Sequence, residues 1–308
     1  MIIELNIVQT CGFQITDKGN KYMQKILILG GSGMLGYAMK THFNATKMHD
    51  VHWTERKFDY PLWAGNSTLR VHFLQADALN VSVQFEDILS SWMPDYVINC
   101  IGIVKPRMAD NIARAIFINA LFPHILARVC KQQGCRLIHV TTDCVFSGRL
   151  GPYNETNLHD ALDDYGKSKS LGEPSMDAMV IRTSIIGPEP FNKHSLISWA
   201  QKQSNQIVQG YINHWWNGVT TFELARIFQQ IIDGDSWKIG TYHIHSPEAV
   251  NKYELLDLIF QRYSVFPSAF KAVDALIGCD RRLTTTDPEF LKGFAIPSIS
   301  YQIGALPE

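Results

Sequence analysis

The stretch that most limits what this chain can fold into is Lys25 to Phe43, KILILGGSGMLGYAMKTHF. Four apolar residues, Ile26 to Leu29, read as a buried strand, and Gly30, Gly33 and Gly36 follow at the spacing G-x-x-G-x-x-G. Leu35, Ala38, Met39 and Phe43 then recur at helical spacing, so a strand, a tight turn and a helix succeed one another. One glycine lets the chain turn, one lets backbone N–H groups approach a pyrophosphate, and one lets the helix lie against the strand. The positive end of that helix faces the phosphates. The pattern predicts a dinucleotide site touched by Gly30, Gly33, Met34, Leu35 and Gly36. An ordinary strand-to-helix turn is the bland alternative, and the flanking strand and helix weigh against it.

The same alternation continues. Strands are expected at His49 to Thr54, Val71 to Gln75, Tyr96 to Cys100 and Arg136 to Val140, with helices at Phe85 to Trp92 and Asp110 to Lys131. Pro123 should bend the long helix, and Gly134 should stop it. Repeated strand–helix alternation without internal repeats predicts an α/β fold, a Rossmann-type doubly wound parallel sheet with a smaller C-terminal substrate-binding domain. The expected division is an extension over 1–24, a dinucleotide-binding domain over 25–186 and a substrate domain over 187–308. Residues 219–246 read as a helix and strand that return to the main sheet. The extension is an added edge strand, an arm, or a start-site artefact, since Met23 sits where such folds begin.

In a sheet of this kind ligands lie outside the strands' carboxyl ends, which selects further residues. After the second strand an acidic residue would grip ribose hydroxyls and an arginine would pair with a 2′-phosphate. Glu55, Arg56 and Lys57 offer both signs, and Arg56 makes NADPH the expected cofactor with NAD the alternative. Asp77 is placed to accept from the adenine amino group. Cys100, Ile101 and Gly102 should pass beside the nicotinamide half, and Thr142 arrives at the same edge.

A net charge of −1 on 308 residues gives no reason to expect nucleic acid or a membrane surface as partner. No apolar run is expected to approach bilayer length. The six cysteines show neither C-x-x-C nor ligand spacing, and the eleven histidines form no H-E-x-x-H. Reduced thiols, no metal and a cytoplasmic location are the expectation.

Tyr165 and Lys169, four apart, share one helical face. A free tyrosine is a poor acid at neutral pH, with a pKa of about 10. A nearby ammonium group would pull it toward the range where proton transfer works best, and Lys169 can also hold ribose hydroxyls.

GGSGMLG (Gly30 to Gly36), INALFPHILA (Ile118 to Ala127), TTDCVFSG (Thr141 to Gly148), YGKSKSLGE (Tyr165 to Glu173) and IRTSIIGPE (Ile181 to Glu189) together resemble the extended short-chain dehydrogenase/reductases. The resemblance is closest to their dTDP-4-dehydrorhamnose reductase-like branch. It implies that Thr142 bonds the substrate carbonyl, Tyr165 donates the proton and Lys169 tunes Tyr165, with Asn119 supporting the lysine through water. It further implies reduction of a 4-keto-6-deoxy nucleotide sugar in surface polysaccharide or deoxysugar synthesis. Sugar-nucleotide dehydratases of the superfamily carry a carboxylate after the Thr-Asp pair. Here Cys144 stands in that place, which disfavours dehydration. An epimerase of the same superfamily stays open. So does an NADP-binding regulatory subunit like the methionine adenosyltransferase β subunit, which resembles the same branch.

On the substrate side, Asn213 and Trp216 belong to an aromatic-polar cluster suited to stacking on a base or sugar. The branch often brings an arginine to the nucleotide diphosphate near the C-terminus, and Arg281 and Arg282 match that place. Pro174 should shorten the helix of Tyr165, a helix these enzymes often use to dimerise. A homodimer is therefore the assembly in question, and the sequence leaves it open.

Overall fold

β1 (Lys25–Leu29), α1 (Met34–Thr46), β2 (Asp50–Glu55), β3 (Val71–Phe73), α2 (Val81–Trp92) and β4 (Tyr96–Asn99) open the fold in that order. The computed structural model describes residues 23–55, 71–73, 80–191 and 195–307, with backbone alone for 71–73. Arg56, Asp77 and most of the N-terminal extension lie outside the described residues. Ile26 to Leu29 are completely buried. Alternation along the strand sends Ile26 and Ile28 against Met39 and Phe43 of α1, and Leu27 and Leu29 against Phe85 and Leu89 of α2. Each such side chain contributes about 1.5–3 kcal/mol. A strand apolar on both faces is stable only between two helical layers, and β1 lies between them.

β5 (Arg136–Thr142), β6 (Ala178–Thr183) and β11 (Gly240–His243) complete a seven-stranded sheet in the order β11-β6-β5-β4-β1-β2-β3. Every pairing in it is parallel. The strand order reverses beside β1, so a crevice opens at the carboxyl ends of β1 and β4. α7 (Thr221–Asp233) lies on the same sheet face as α1, and β11 pairs with β6.

The expected single helix from Asp110 is instead three pieces: α3 (Ile112–Ile116), a wide π turn over Phe117–Leu121, and α4 (Phe122–Gln133). Pro123 has no N–H to give to residue 119, and its ring would strike that carbonyl. The helix widens just ahead of it, Phe122 N–H reaching back to the Phe117 carbonyl. Gly134 ends α4 at φ 73°. The segment Ile112–Gln133 is long and apolar enough by composition to cross a membrane, contrary to the expectation that no run comes close. Half of its apolar window is buried, with Phe122, Leu126 and Val129 packed against the sheet.

Beyond β6 a third cluster forms among α8 (Lys252–Arg262), α10 (Ile299–Gly304), Ile197 and Val208. The helix expected over Ser195 to Gln203 is confined to α6 (Leu196–Ala200). Short strands β9 (His214–Trp216), β12 (Val250–Asn251) and β14 (Cys279–Asp280) pair beside it, bringing the C-terminal third to the crevice.

Candidate active site

The glycine turn supplies one wall of a cavity of about 500 Å³ at the carboxyl ends of β1, β4 and β5. Gly30 adopts φ +85°, a backbone region that favours glycine, and Gly33 N–H closes the turn on its carbonyl at 3.0 Å. A Cβ on Gly36 would lie 2.1 Å from the Gly30 carbonyl oxygen, so only glycine lets α1 approach the turn. β2 fastens the turn from the side: Thr54 Oγ1 accepts from Gly30 N–H at 3.0 Å. Gly30, Gly33, Met34 and Leu35 line the cavity. α1 begins at Gly33 with no side-chain cap and no acidic residue in its first turn, leaving its N–H groups open to an anion. A dinucleotide pyrophosphate fits this cradle. Glu55 lines the cavity at the end of β2, holding Lys40 Nζ at 2.9 Å and Trp53 Nε1 at 3.0 Å.

The opposite wall carries the chemistry. Cys100, Ile101 and Gly102 follow β4 along the cavity, and Thr142, Tyr165 and Lys169 converge on it from the end of β5 and from α5 (Asp164–Leu171). Asp163 caps α5, its carboxylate accepting from Gly166 N–H at 3.0 Å, and the helix ends at Gly172, ahead of Pro174. Lys169 is buried and donates to the Val140 carbonyl at 3.2 Å. Burial brings its pKa down to about 8, with the Glu173 charge opposing. Burial pushes the Tyr165 phenol up, Cys144 and Asp143 add to this, and the Thr142 hydroxyl opposes. The expected downward pull on the phenol is thus outweighed by desolvation, and Tyr165 holds its proton.

Thr142 Oγ1 accepts from Cys144 N–H at 3.1 Å and donates to Asp143 Oδ1 at 3.2 Å. Asp143 is buried, and burial raises its carboxyl above the usual range against the Arg281 charge. Burial also raises the Cys144 thiol to about 12, so it stays protonated and cannot serve as a base.

Asn119 does not line the cavity. Its amide clamps the loop after β4, accepting from Ile103 N–H at 2.8 Å and donating to the Ile103 carbonyl at 2.9 Å and Ser168 Oγ at 3.2 Å. Trp216 reaches the cavity edge through Ser184, a lining residue, to which its Nε1 donates at 2.8 Å. Arg281 lies over the turn after β5, donating to the Phe146 carbonyl at 2.8 Å and the Ser147 carbonyl at 3.3 Å. Asn213 and Arg282 stand apart from it. Asn213 brackets Ala275 through both its amide groups, and Arg282 pairs with Asp280 at 2.6 Å and lies over the Trp215 ring.

Sequence reasoning missed Arg107 and Arg114, which line the cavity from the turn after β4 and from α3, and Ser184 after β6. The only signal was their closeness in sequence to predicted carboxyl-end loops. It also missed Lys252, which does not line the cavity but whose ammonium feels the Asp143 charge. Among the described residues no cluster of three or more metal-ligating side chains occurs.

Comparison with known proteins agrees with this architecture. The chain is 26% identical over 250 residues to a dTDP-4-dehydrorhamnose reductase of Aggregatibacter actinomycetemcomitans, covering 77% of this chain and 79% of that protein. It is 22% identical over 294 residues to the methionine adenosyltransferase 2 subunit beta of Mus musculus, covering 91% and 84%. The fold matches the crystal structure of dTDP-4-dehydrorhamnose reductase from Bacillus anthracis in complex with NADP, with a TM-score of 0.72, 19% identity and coverage of 92% and 99%. Residues 23–277 match the family described as the RmlD substrate binding domain, and the chain belongs to that family.

Proposed function

We propose that this protein is a nicotinamide-dinucleotide-dependent reductase of a 4-keto-6-deoxy nucleotide sugar, acting in deoxysugar or surface polysaccharide synthesis. The convergence of Thr142, Tyr165 and Lys169 on the cavity that the glycine turn opens carries this reading. Bound there, the nicotinamide would supply hydride to the keto carbon. Tyr165, holding its proton, is set to protonate the oxygen that becomes an alkoxide, and Thr142 lies beside it to orient that oxygen. Lys169 adds positive charge to the same wall at pH values below about 8. The Gly33 end of α1 would take the pyrophosphate, and Glu55 with Lys40 would meet the adenosine ribose. The Cys144 thiol leaves elimination of water without a base, which supports reduction over dehydration.

A second reading is a non-catalytic, NADP-binding regulatory subunit, favoured by the 91% coverage of this chain in its match to the mouse β subunit. Mixing the full chain alone with NADPH or NADH and a panel of enzymatically generated 4-keto-6-deoxy nucleotide sugars separates the two. Loss of reduced-cofactor absorbance with one sugar supports the reductase. Tight NADPH binding with no oxidation across the panel favours the regulatory reading.

A further inference from the structure

A threonine hydroxyl has two acceptor lone pairs and one proton. In Thr142 that proton points to Asp143 Oδ1 at 3.2 Å, while the Cys144 N–H donates to the same oxygen at 3.1 Å. So arranged, Thr142 is a donor to its neighbour and has nothing to donate to a substrate oxygen. The arrangement holds when Asp143 is a carboxylate. As a carboxylic acid, Asp143 itself carries a proton and can donate it to Thr142 Oγ1, whose own proton then turns to the cavity.

The surroundings of Asp143 bear on that proton. The residue is 5% exposed, so ionisation carries a desolvation cost. Arg281 after β14 and Lys252 at the start of α8 turn positive charge toward it. Cys144 on its own turn, Tyr165 on α5 and Cys279 on β14 face it as neutral acids. Ser184 after β6 lies beside it, with an oxygen already taken by Trp216 Nε1 and a proton free for Asp143. Burial outweighs these cations and donors, and the carboxyl lies above its ordinary value.

We propose that Asp143 is a positioning residue whose proton sets the direction of the Thr142 hydrogen bond, the acid form freeing the Thr142 hydroxyl to donate to the substrate's keto oxygen. This rests on the reductase reading. Within it, Thr142 and Tyr165 both donate to the developing alkoxide only while Asp143 is protonated, and above the Asp143 midpoint Thr142 turns away.

The test joins a carboxyl titration to a rate profile on the full chain with NADPH bound. Aspartate carboxyl carbons are labelled with 13C, and the Asp143 resonance is the one absent from Asp143→Asn. It should titrate above the usual carboxylate range, and Thr142→Val, which removes a donor to the carboxylate, should move the midpoint further up. In the wild type the rate of reduction should fall by about tenfold per pH unit above the same midpoint. In Asp143→Asn, whose amide always donates, that limb should vanish while the Lys169 limb near pH 8 remains. A resonance ionised throughout the working range, or a limb unchanged in Asp143→Asn, overturns the proposal. Absence of turnover in the wild type with every sugar defeats the reductase reading instead. The carboxyl titration and its response to Thr142→Val then still decide where the proton lies.

Discussion

Arg182 grips Glu173 with two parallel hydrogen bonds, Nε to Oε1 at 3.1 Å and Nη2 to Oε2 at 2.6 Å, and both side chains are over nine-tenths buried. The pair ties the segment just after α5 to β6, next to the edge strand β11. Glu173 stands four residues after Lys169 and supports its positive charge. Removing one member of a buried, bidentate pair leaves the other charge without compensation. Glu173→Gln should therefore cost about 3–5 kcal/mol of stability, read as a lower urea midpoint. In the fraction that folds, the Lys169 limb of the rate profile should also move to lower pH. A midpoint within error of the wild type would show that the pair is dispensable.

The same arginine carries a pH dependence of stability. Arg182 Nη1 lies 2.7 Å from His243 Nε2, and His243 Nδ1 lies 2.7 Å from the Thr284 carbonyl. The carbonyl can only accept, so Nδ1 holds the proton and Nε2 accepts from the guanidinium. Burial first, and Arg182 second, lower the His243 pKa to about 4. The unfolded chain takes up this proton near pH 6.5, so between about 6.5 and 4 it binds more protons than the folded one. Stability contributed by neutral His243 is complete above pH 6.5 and declines as pH falls through that window, by about 3 kcal/mol in all. Glu155, held down to about 2 by Thr285 and Thr286 against burial, loses its contribution at still lower pH. Chemical denaturation at stepped pH should show the first decline in wild type and a shallower one in His243→Asn.

Much of this architecture could be read from residues before any coordinates. β1 and β4 are largely apolar runs between punctuating residues, and local pattern determines such elements well. The wide turn at Phe117–Leu121 was signalled by Pro123 as a bend, but which carbonyl it frees depends on neighbours such as Gly172, where a Cβ would lie 1.8 Å from the Asn119 carbonyl. Tyr165, Lys169 and Thr142 were legible because their spacing has a chemical meaning. Ser184, which lines the cavity, and Lys252, which feels the Asp143 charge, were not, because each is placed through pairings distant in sequence, β7 (Ile185–Ile186) with β10 (Val219–Thr220) and β12 with β9. Asn213 and Arg282 have the right chemistry for ligand binding. Their loops instead place them against Ala275 and Asp280, which residue type alone does not reveal.

Gly36 offers a test of the glycine turn that is independent of the reacting groups. A Cβ there meets the Gly30 carbonyl oxygen at 2.1 Å and its carbon at 2.7 Å, both main-chain atoms that no rotamer change can move aside. Gly36→Ala must push α1 off the turn and displace the N–H groups that face the cavity. Weakened NADPH binding by at least tenfold, together with a lowered thermal midpoint, is the expected result. Fluorescence titration with NADPH measures the first and calorimetry the second. Gly134→Ala is the control for backbone strain alone, since its φ is positive and nothing lies within 4 Å of a Cβ there. It should lower the midpoint and leave NADPH binding intact.

The reacting groups themselves separate binding from chemistry. Tyr165 approaches the cavity from a helix that the Arg182 anchor holds in place, so Tyr165→Phe removes one hydroxyl and little else. Loss of a positioned general acid costs about 10²–10⁴ in rate. NADPH affinity should stay within about threefold, because the glycine turn and the first turn of α1 are untouched. Lys169 titrates in the same sense as an exposed lysine but at lower pH, since burial favours its neutral form. Its ammonium is present below about pH 8 and is lost as pH rises through that value. The reduction rate should fall along this limb in the wild type. In Lys169→Met the rate should be low at every pH, with the limb gone. Tyr165→Phe protein reducing the sugar at close to the wild-type rate would remove the tyrosine from the mechanism and leave Thr142 as the sole donor to the developing alkoxide.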